Sequence, residues 1–497
     1  MRSTPIGIAM LNDEREHVWR QNNPLNQKVV KQWARALKGK LTNRDGSAPQ
    51  IVTGSEIITG TRKAQQVGEE LARAGCKQII MLYNVWNFPF LVWPFINSVG
   101  LGKPILSLSN NTGEFPGNVG LLATDGALRQ AGVRTHRIVG DVSDAATQDN
   151  VVDWLRASQA VTTIRNEVYG CYGGHSMGME TGYFHMVPTI KALGTTVRQI
   201  DQLWLVEAMK QVDDQEVEKG FRWFARMLGD RILYDGKMLT PDTLKTQIRL
   251  YCAMQAVNLD KGFDYCGLKG QRELTEYVCL GDVPEMLMND PYDWHGRKEP
   301  TVCATEADSY AAVTMQLLKY LTGGLPTLFM DVRLYHPDKD LWDWCNSGNH
   351  ASWYAARSDD PKENFAKVHL HPALEFYFKA GGASVEFDAA PGQMTFCRLG
   401  LWDDKPFMVI VRGQAVALPA KERKAINAQT NPTWPHVHAR LKCSFDEFLS
   451  AFPCNHVLGV AGDVLRALVY VCEITGIRPV VLGADGQQRI PPIWERV

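Results

Sequence analysis

Two α/β domains followed by a β-rich, mostly antiparallel third is the architecture that this 497-residue sequence predicts. Three observations predict it. Short apolar runs alternate with amphipathic helical patterns over roughly the first 160 residues, the alternation resumes up to about residue 335, and beyond about 340 it gives way to closely spaced strands and turns. The boundaries fall at 1–162, 163–325 and 326–497.

In the first domain the strands are read at 6–11, 78–82, 104–108 and 136–139, and helix 62–74 carries Ala64, Val67, Leu71 and Ala74 at helical spacing. Strand, helix, strand in this rhythm argues for a parallel sheet covered on both faces. The second cycle begins after the amphipathic stretch 151–164. A strand at 167–172 runs into the glycine-rich turn Gly173-Gly174-His175-Ser176-Met177-Gly178, then come a strand at 196–200, helices within 203–228 and at 241–257, and a short strand into Gly267. The segment 301–305 reads as a buried strand, followed by a helix whose Tyr310, Val313, Leu317, Leu318 and Leu321 share a face and which stops at Gly323-Gly324. The next strand is 326–335. In the third domain four short strands, 383–387, 393–398, 406–411 and 413–418, favour antiparallel pairing.

Composition narrows the function. Hydrophobic residues are 45% and charged residues 22%, as in ordinary soluble proteins, and 53 basic side chains against 54 acidic leave no global field for nucleic acid or an anionic membrane. The most apolar stretch, 88–96, has about half the roughly 20 residues of a membrane helix and contains two prolines. The N-terminus lacks the apolar core of a secretory signal, and the 11 cysteines are scattered without a CxxC pair. The expectation is a cytoplasmic protein whose cysteines are small core residues, with no nucleic-acid or membrane partner.

The chemistry is sought among carboxylates and histidines. Glu306 stands where a buried strand gives way to a helix, and Asp331 lies 25 positions later inside the apolar Leu328-Phe329-Met330-Asp331-Val332. Ligands gather outside the carboxyl ends of strands in open α/β sheets. A carboxylate embedded in an apolar strand needs a metal, an arginine or strong donors. The plainer alternative is that Asp331 pairs with Arg333 and Glu306 merely favours a helix N-terminus. Among the 12 histidines, the pairs His369/His371 and His436/His438 have the i, i+2 spacing that sets two imidazoles on one face of a strand, and His456 follows Asn455 after an apolar turn. Spacing alone does not choose among them. The glycine-rich turn is neither a dinucleotide fingerprint nor a P-loop, so it is a tight turn whose backbone could approach a ligand. Trp86 ends a strand at a polar turn, suited either to a sugar face or to the core.

Several segments, in this order, resemble the L-fucose isomerase family: Gly173-Gly174, Ser176-Met177-Gly178, Asp293-Trp294-His295-Gly296-Arg297-Lys298-Glu299-Pro300, Ala304-Thr305-Glu306-Ala307-Asp308-Ser309, Asp331-Val332-Arg333, Asn346-Ser347-Gly348, Thr433-Trp434-Pro435 and Asn455-His456. The first third is similar more by layout than by motif. The resemblance implies two Rossmann-like α/β domains and a C-terminal antiparallel β-barrel-like domain in a homohexamer. It also implies a metal-dependent aldose-ketose isomerase that converts L-fucose to L-fuculose and D-arabinose to D-ribulose through an enediol. The implied metal ligands are Glu306, Asp331 and His456, holding Mn²⁺, with Co²⁺ or Mg²⁺ as alternatives, and the two carboxylates double as the acid/base pair. Met177 and Ser347 are implied near the sugar, Asn455 beside the ligand histidine, and Trp86 as a contribution from a neighbouring subunit.

The sequence also departs from the family. Phe-Gln-Gly-Gln-Arg is Leu268-Lys269-Gly270-Gln271-Arg272 here, Gly-Gly-Gly-Tyr is Ala380-Gly381-Gly382-Ala383, and the N-terminal Gly-Ile-Arg-Pro is Gly7-Ile8-Ala9-Met10. Lys269 raises the alternative of the same mechanism on an anionic aldose. Two rival classes are a metallohydrolase built on one His-x-His pair and a metal-free sugar sensor.

Overall fold

The computed structural model describes residues 3–112, 115–348 and 350–483. The chain forms two compact units, the first made of residues 1–163, 320–323 and 466–476 and the second of the remainder. The second and third expected segments thus fall largely within one unit.

In the first unit, strands β1 (Ile6–Leu11), β2 (Ile51–Thr53), β3 (Gln78–Tyr83), β4 (Ile105–Ser109) and β5 (Thr135–Val139) form an all-parallel sheet in the order β2-β1-β3-β4-β5. The central strands β1, β3 and β4 are buried along their whole length, the pattern of a sheet covered on both faces. Helices Thr61–Arg73 and Val92–Val99 pack closely because Gly68 has no side chain: a Cβ there would stand 2.7 Å from the Phe95 carbonyl oxygen. The edge strand β2 was not anticipated, since three residues, two half-buried and one exposed, carry no periodic signal.

The second unit opens with another parallel sheet. Its strands are β6 (Val168–Tyr172), β7 (Thr196–Ile200), β8 (Tyr265–Leu268) and, after the small hairpin of β9 (Tyr292–Asp293) and β10 (Gly296–Arg297), β11 (Cys303–Thr305), in the order β11-β8-β6-β7. Helix Ser309–Leu321 follows as expected.

The larger sheet contains β12 (Leu328–His336) and β13 (Leu341–Cys345). A separate two-stranded pair, β14 (His369–Pro372) with β15 (Ala383–Glu386), interrupts the sequence. The sheet resumes with β16 (Gly392–Trp402), β17 (Lys405–Ala415), β18 (His436–Leu441), β19 (His456–Ala461) and β20 (Arg478–Val481). Its order is β16-β19-β12-β13-β18-β17-β20, and β16 also pairs with β17, so six of the strands pair in a cycle; every pair is antiparallel except β17 with β20.

Two short strands expected at 406–411 and 413–418 are in fact the single strand β17, paired with β16 over 11 positions, and 416–418 lie outside it. Gly413 is no break. A Cβ there would lie 2.6 Å from the Arg440 carbonyl oxygen, so glycine serves the close approach of β18.

All 11 cysteines are free thiols, buried or half-buried. Among the described residues no helix is long and apolar enough to cross a membrane.

Candidate active site

Glu306 leaves the carboxyl end of β11 in an unusual conformation. Glu306 and Ala307 both have positive φ, 56° and 50°, which costs non-glycine residues about 1–3 kcal/mol each unless the surroundings impose it. Here they do: the Ala307 amide donates to the Leu268 carbonyl at 2.9 Å, and the Tyr169 hydroxyl donates to the Ala307 carbonyl at 3.2 Å. Gly267 makes room for this turn, since a Cβ there would lie 2.2 Å from the Tyr169 hydroxyl.

Asp331 and His456 meet by a different route. They are direct partners in the antiparallel ladder of β12 and β19, and β12 bulges between Val332 and Leu334, immediately beyond Asp331. His456 Nε2 lies 3.2 Å from Glu306 Oε2 and 3.3 Å from Asp331 Oδ1. It is buried, yet it makes no hydrogen bond to either carboxylate. Three donor side chains therefore approach one another without being aligned on one another, the arrangement that a cation between them would satisfy.

The other ring nitrogen fixes this orientation. His456 Nδ1 is 2.7 Å from Asp308 Oδ2, and Asp308 is clamped by both terminal nitrogens of Arg398, at 2.8 and 3.0 Å. Asp308 and Arg398 are each 1% exposed. Burial works against the Asp308 charge, but Arg398 and His456 outweigh it and lower its pKa to about 2. Burial likewise opposes charge on His456, and the surrounding Asp308, Asp331 and Glu306 oxygens override it, raising its pKa well above 6.5. Asp331 is held below the usual carboxylate range, its burial offset mainly by His456. A carboxylate behind a ligand imidazole is the usual outer support of a metal site. Two hard carboxylates and one imidazole suit Mn²⁺ or a similar divalent ion.

Asp331 is further oriented by amides: Asn346 Nδ2 donates to Oδ2 at 2.9 Å and Asn455 Nδ2 to Oδ1 at 3.1 Å. The Arg333 pairing that the sequence offered as the plainer alternative also exists, at 3.1 Å. It uses Oδ2 and leaves Oδ1 facing His456.

A cavity of about 420 Å³ opens over Glu306 and Asp331, and Met177, Lys269 and Ser347 line it. Its wall includes the buried acids Asp282 and Glu285, each with one carboxylate oxygen lacking a hydrogen-bond partner. Burial raises the Asp282 pKa to about 7, and burial together with Asp282 raises that of Glu285 well above its ordinary value. Ser347 donates to Asp282 at 2.7 Å, and Gly348 allows the close packing, as a Cβ there would lie 2.2 Å from Glu285 Oε2. The Lys269 ammonium is engaged by Glu273 at 2.9 Å.

The other candidates sit elsewhere. His369 and His371 share Glu386, at 2.9 and 3.9 Å. His436 and His438 share Asp343. Trp86 belongs to the first unit, where it packs edge-on against Phe88. Sequence reasoning missed Asp308, Arg398, Asp282 and Glu285. Arg398 carries the signal used for Asp331, a charge inside an apolar strand (Phe396-Cys397-Arg398-Leu399).

Comparison with known proteins gives three family-model matches in chain order: L-fucose isomerase, first N-terminal domain, at 3–166; second N-terminal domain, at 237–323; and C-terminal domain, at 344–482. A Haemophilus influenzae protein named L-fucose isomerase is 23% identical, covering 93% of this chain and 89% of its own. Its namesake in Escherichia coli is 25% identical over 86% and 83% of the two chains.

Proposed function

The chain belongs to the L-fucose isomerase family, and from that membership we propose that it is an aldose-ketose isomerase that converts L-fucose to L-fuculose, with D-arabinose to D-ribulose as a second reaction. The observation that carries the reading is the free Nε2 of His456, facing Glu306 and Asp331 beneath an open cavity.

Glu306, Asp331 and His456 would hold a divalent ion, with Mn²⁺ as the expected metal and Co²⁺ or Mg²⁺ as alternatives, which would supply Lewis-acid polarisation to the sugar. The chain's own groups do the rest. One of the two carboxylates removes the proton at C2 of the aldose and returns it to C1 of the enediol, while the O2 proton passes to O1 through the other. Asp308 keeps the His456 Nδ1 engaged, so that Nε2 stays directed toward Glu306 and Asp331, where the ion would bind. Asn455 and Asn346 hold the Asp331 carboxylate in place, and Ser347 and Met177 line the wall that receives the sugar.

The near-zero net charge fits a neutral sugar, and Glu273 already balances Lys269, so the anionic aldose is the weaker reading. The division at 1–162, 163–325 and 326–497 is kept as part of the proposal, supported by three separate family models. The cyclic pairing of six strands supports a barrel-like third domain. A homohexamer, a cytoplasmic location and Trp86 reaching a neighbouring subunit's sugar complete the reading.

The test is ketose formation from L-fucose and from D-arabinose before and after chelation. Activity should disappear with the metal and return with Mn²⁺. Turnover indifferent to chelation would overturn the mechanism.

A further inference from the structure

β13 and β18 bring together a second set of donors. Asp343 and His438 are direct partners across the ladder, and His436 lies two residues before His438 on the same face, so the two imidazoles are near parallel at 20° with centroids 5.8 Å apart. Asp343, His436 and His438 are 0%, 0% and 2% exposed. Asp343 Oδ1 stands 2.7 Å from His436 Nδ1 and 3.7 Å from His438 Nε2, and the Asn427 amide oxygen stands 2.9 Å from that same Nε2.

Two of these separations are hydrogen bonds, and the ligand atoms lie close enough together for one cation to take the place of the shared protons. Four ligands bonded tetrahedrally at about 2.0–2.2 Å lie about 3.3–3.6 Å from one another, so the 3.7 Å separation is close to that range and the 2.7 and 2.9 Å pairs would open by less than 1 Å to admit the ion. The atoms behind the donors are engaged as metal ligands require. His436 turns Nε2 to the Asn431 carbonyl at 2.7 Å, Thr430 donates to Asp343 Oδ2 at 2.8 Å, and the Asn427 amide nitrogen donates to Asp388 at 3.0 Å. None of the four donors belongs to the lining of the active-site cavity.

We propose that Asp343, His436 and His438, with the Asn427 amide oxygen as fourth donor, form a closed tetrahedral site for a structural divalent cation of borderline character, zinc above all, separate from the Glu306–Asp331–His456 site. Two imidazoles favour zinc over the harder ions that a carboxylate-rich site takes. The cation ties β13 and β18 to the end of helix Ala420–Asn427. Its competitor is a proton, which would make His436 an imidazolium donating to both Asp343 and Asn431.

Metal content of the full chain decides between them. After dialysis against Zn²⁺ and removal of loosely held ion, elemental analysis should find two equivalents per chain in the wild type and one each in His438→Ala and His456→Ala. His438→Ala should keep Mn²⁺-dependent isomerisation within about threefold of wild type, because the second site is structural. Cobalt gives a reading that does not depend on His438→Ala folding well. His456→Ala loaded with Co²⁺ should show the strong visible bands of four-coordinate cobalt. A single equivalent in the wild type, or His456→Ala with neither bound metal nor those bands, would overturn the proposal in favour of the proton.

Discussion

Two carboxylate–histidine clusters hang on neighbouring strand pairs of one sheet, Asp331 with His456 across β12 and β19, and Asp343 with His438 across β13 and β18. Both are built from cross-strand partners and both are supported by outer polar groups. They differ in access. The first leaves the buried His456 Nε2 without a hydrogen bond and its carboxylates at the edge of a 420 Å³ cavity, and it is flanked by the left-handed backbone of Glu306 and Ala307. In the second, every named donor is already engaged by a neighbour within the fold. Residue type therefore does not separate the cluster proposed to be reactive from the one proposed to be structural. Unsatisfied donors, backbone held in strained conformations and a route in for substrate do.

The sharpest test of this contrast is Glu306→Gln, which removes both a proposed ligand charge and a proposed acid/base group. It should lower kcat by about 10²–10⁴-fold with saturating Mn²⁺, read as ketose formed per minute. Asp343→Asn in the closed cluster should leave kcat within a few-fold. Comparable losses from the two would erase the distinction.

Next is the support behind His456. Asp308→Asn should weaken metal binding by about 10–100-fold while excess Mn²⁺ restores most of the turnover, as a metal titration against activity would reveal. A kcat loss that no metal concentration repairs would place Asp308 in the chemistry itself.

A smaller effect concerns the cavity wall. The pKa of Asp282 stands at about 7 in the folded protein against an ordinary 3.8, so the folded state keeps a proton that the unfolded state gives up. Stability should therefore fall as pH rises from about 4 to 7, by at most about 1.4 kcal/mol per pH unit from this group, and level off above that window. Asp282→Asn should flatten the dependence in denaturant titrations at pH 4.5 and 7.5. An unchanged slope would mean that the buried acid is charged throughout.

The smallest effect belongs to His371→Ala. This half-buried side chain is 3.9 Å from Glu386, so the substitution should shift stability by about 0.5 kcal/mol or less and leave metal content unaltered.

Much of the local structure was legible in the sequence because its causes are local. β1, β3 and helix Ser309–Leu321 follow from apolar patterning and flanking turns. Asp331 stood out as a charge in an apolar strand, and Glu306 as a residue just past a strand's carboxyl end. The choice of His456 among 12 histidines was not readable from spacing, because a ladder contact between β12 and β19 leaves no local trace. It came from family resemblance. Arg398 was overlooked although it carried the same signal as Asp331, and β17 was split at Arg412, between strands expected at 406–411 and 413–418, although it runs unbroken through Gly413, which serves strand packing.

The pairing of Asp331 with His456 also bears on how such a protein diversifies. The two residues are 125 positions apart in the chain but adjacent in the ladder. Strand pairing has a two-residue rhythm, so a one-residue slip of either strand would turn its site residue to the opposite face. Insertions and deletions are therefore excluded from β12 and β19 but admissible in the turns between them, which tolerate changes of length at little thermodynamic expense. The connection between β14 and β15, whose Tyr377 and Phe378 line the cavity, is free to vary in length and composition around that ladder pair, whereas Asn346, Ser347 and Gly348 are held by their contacts with Asp331, Asp282 and Glu285. A lineage can in this way change the sugar it accepts without changing the reaction it performs.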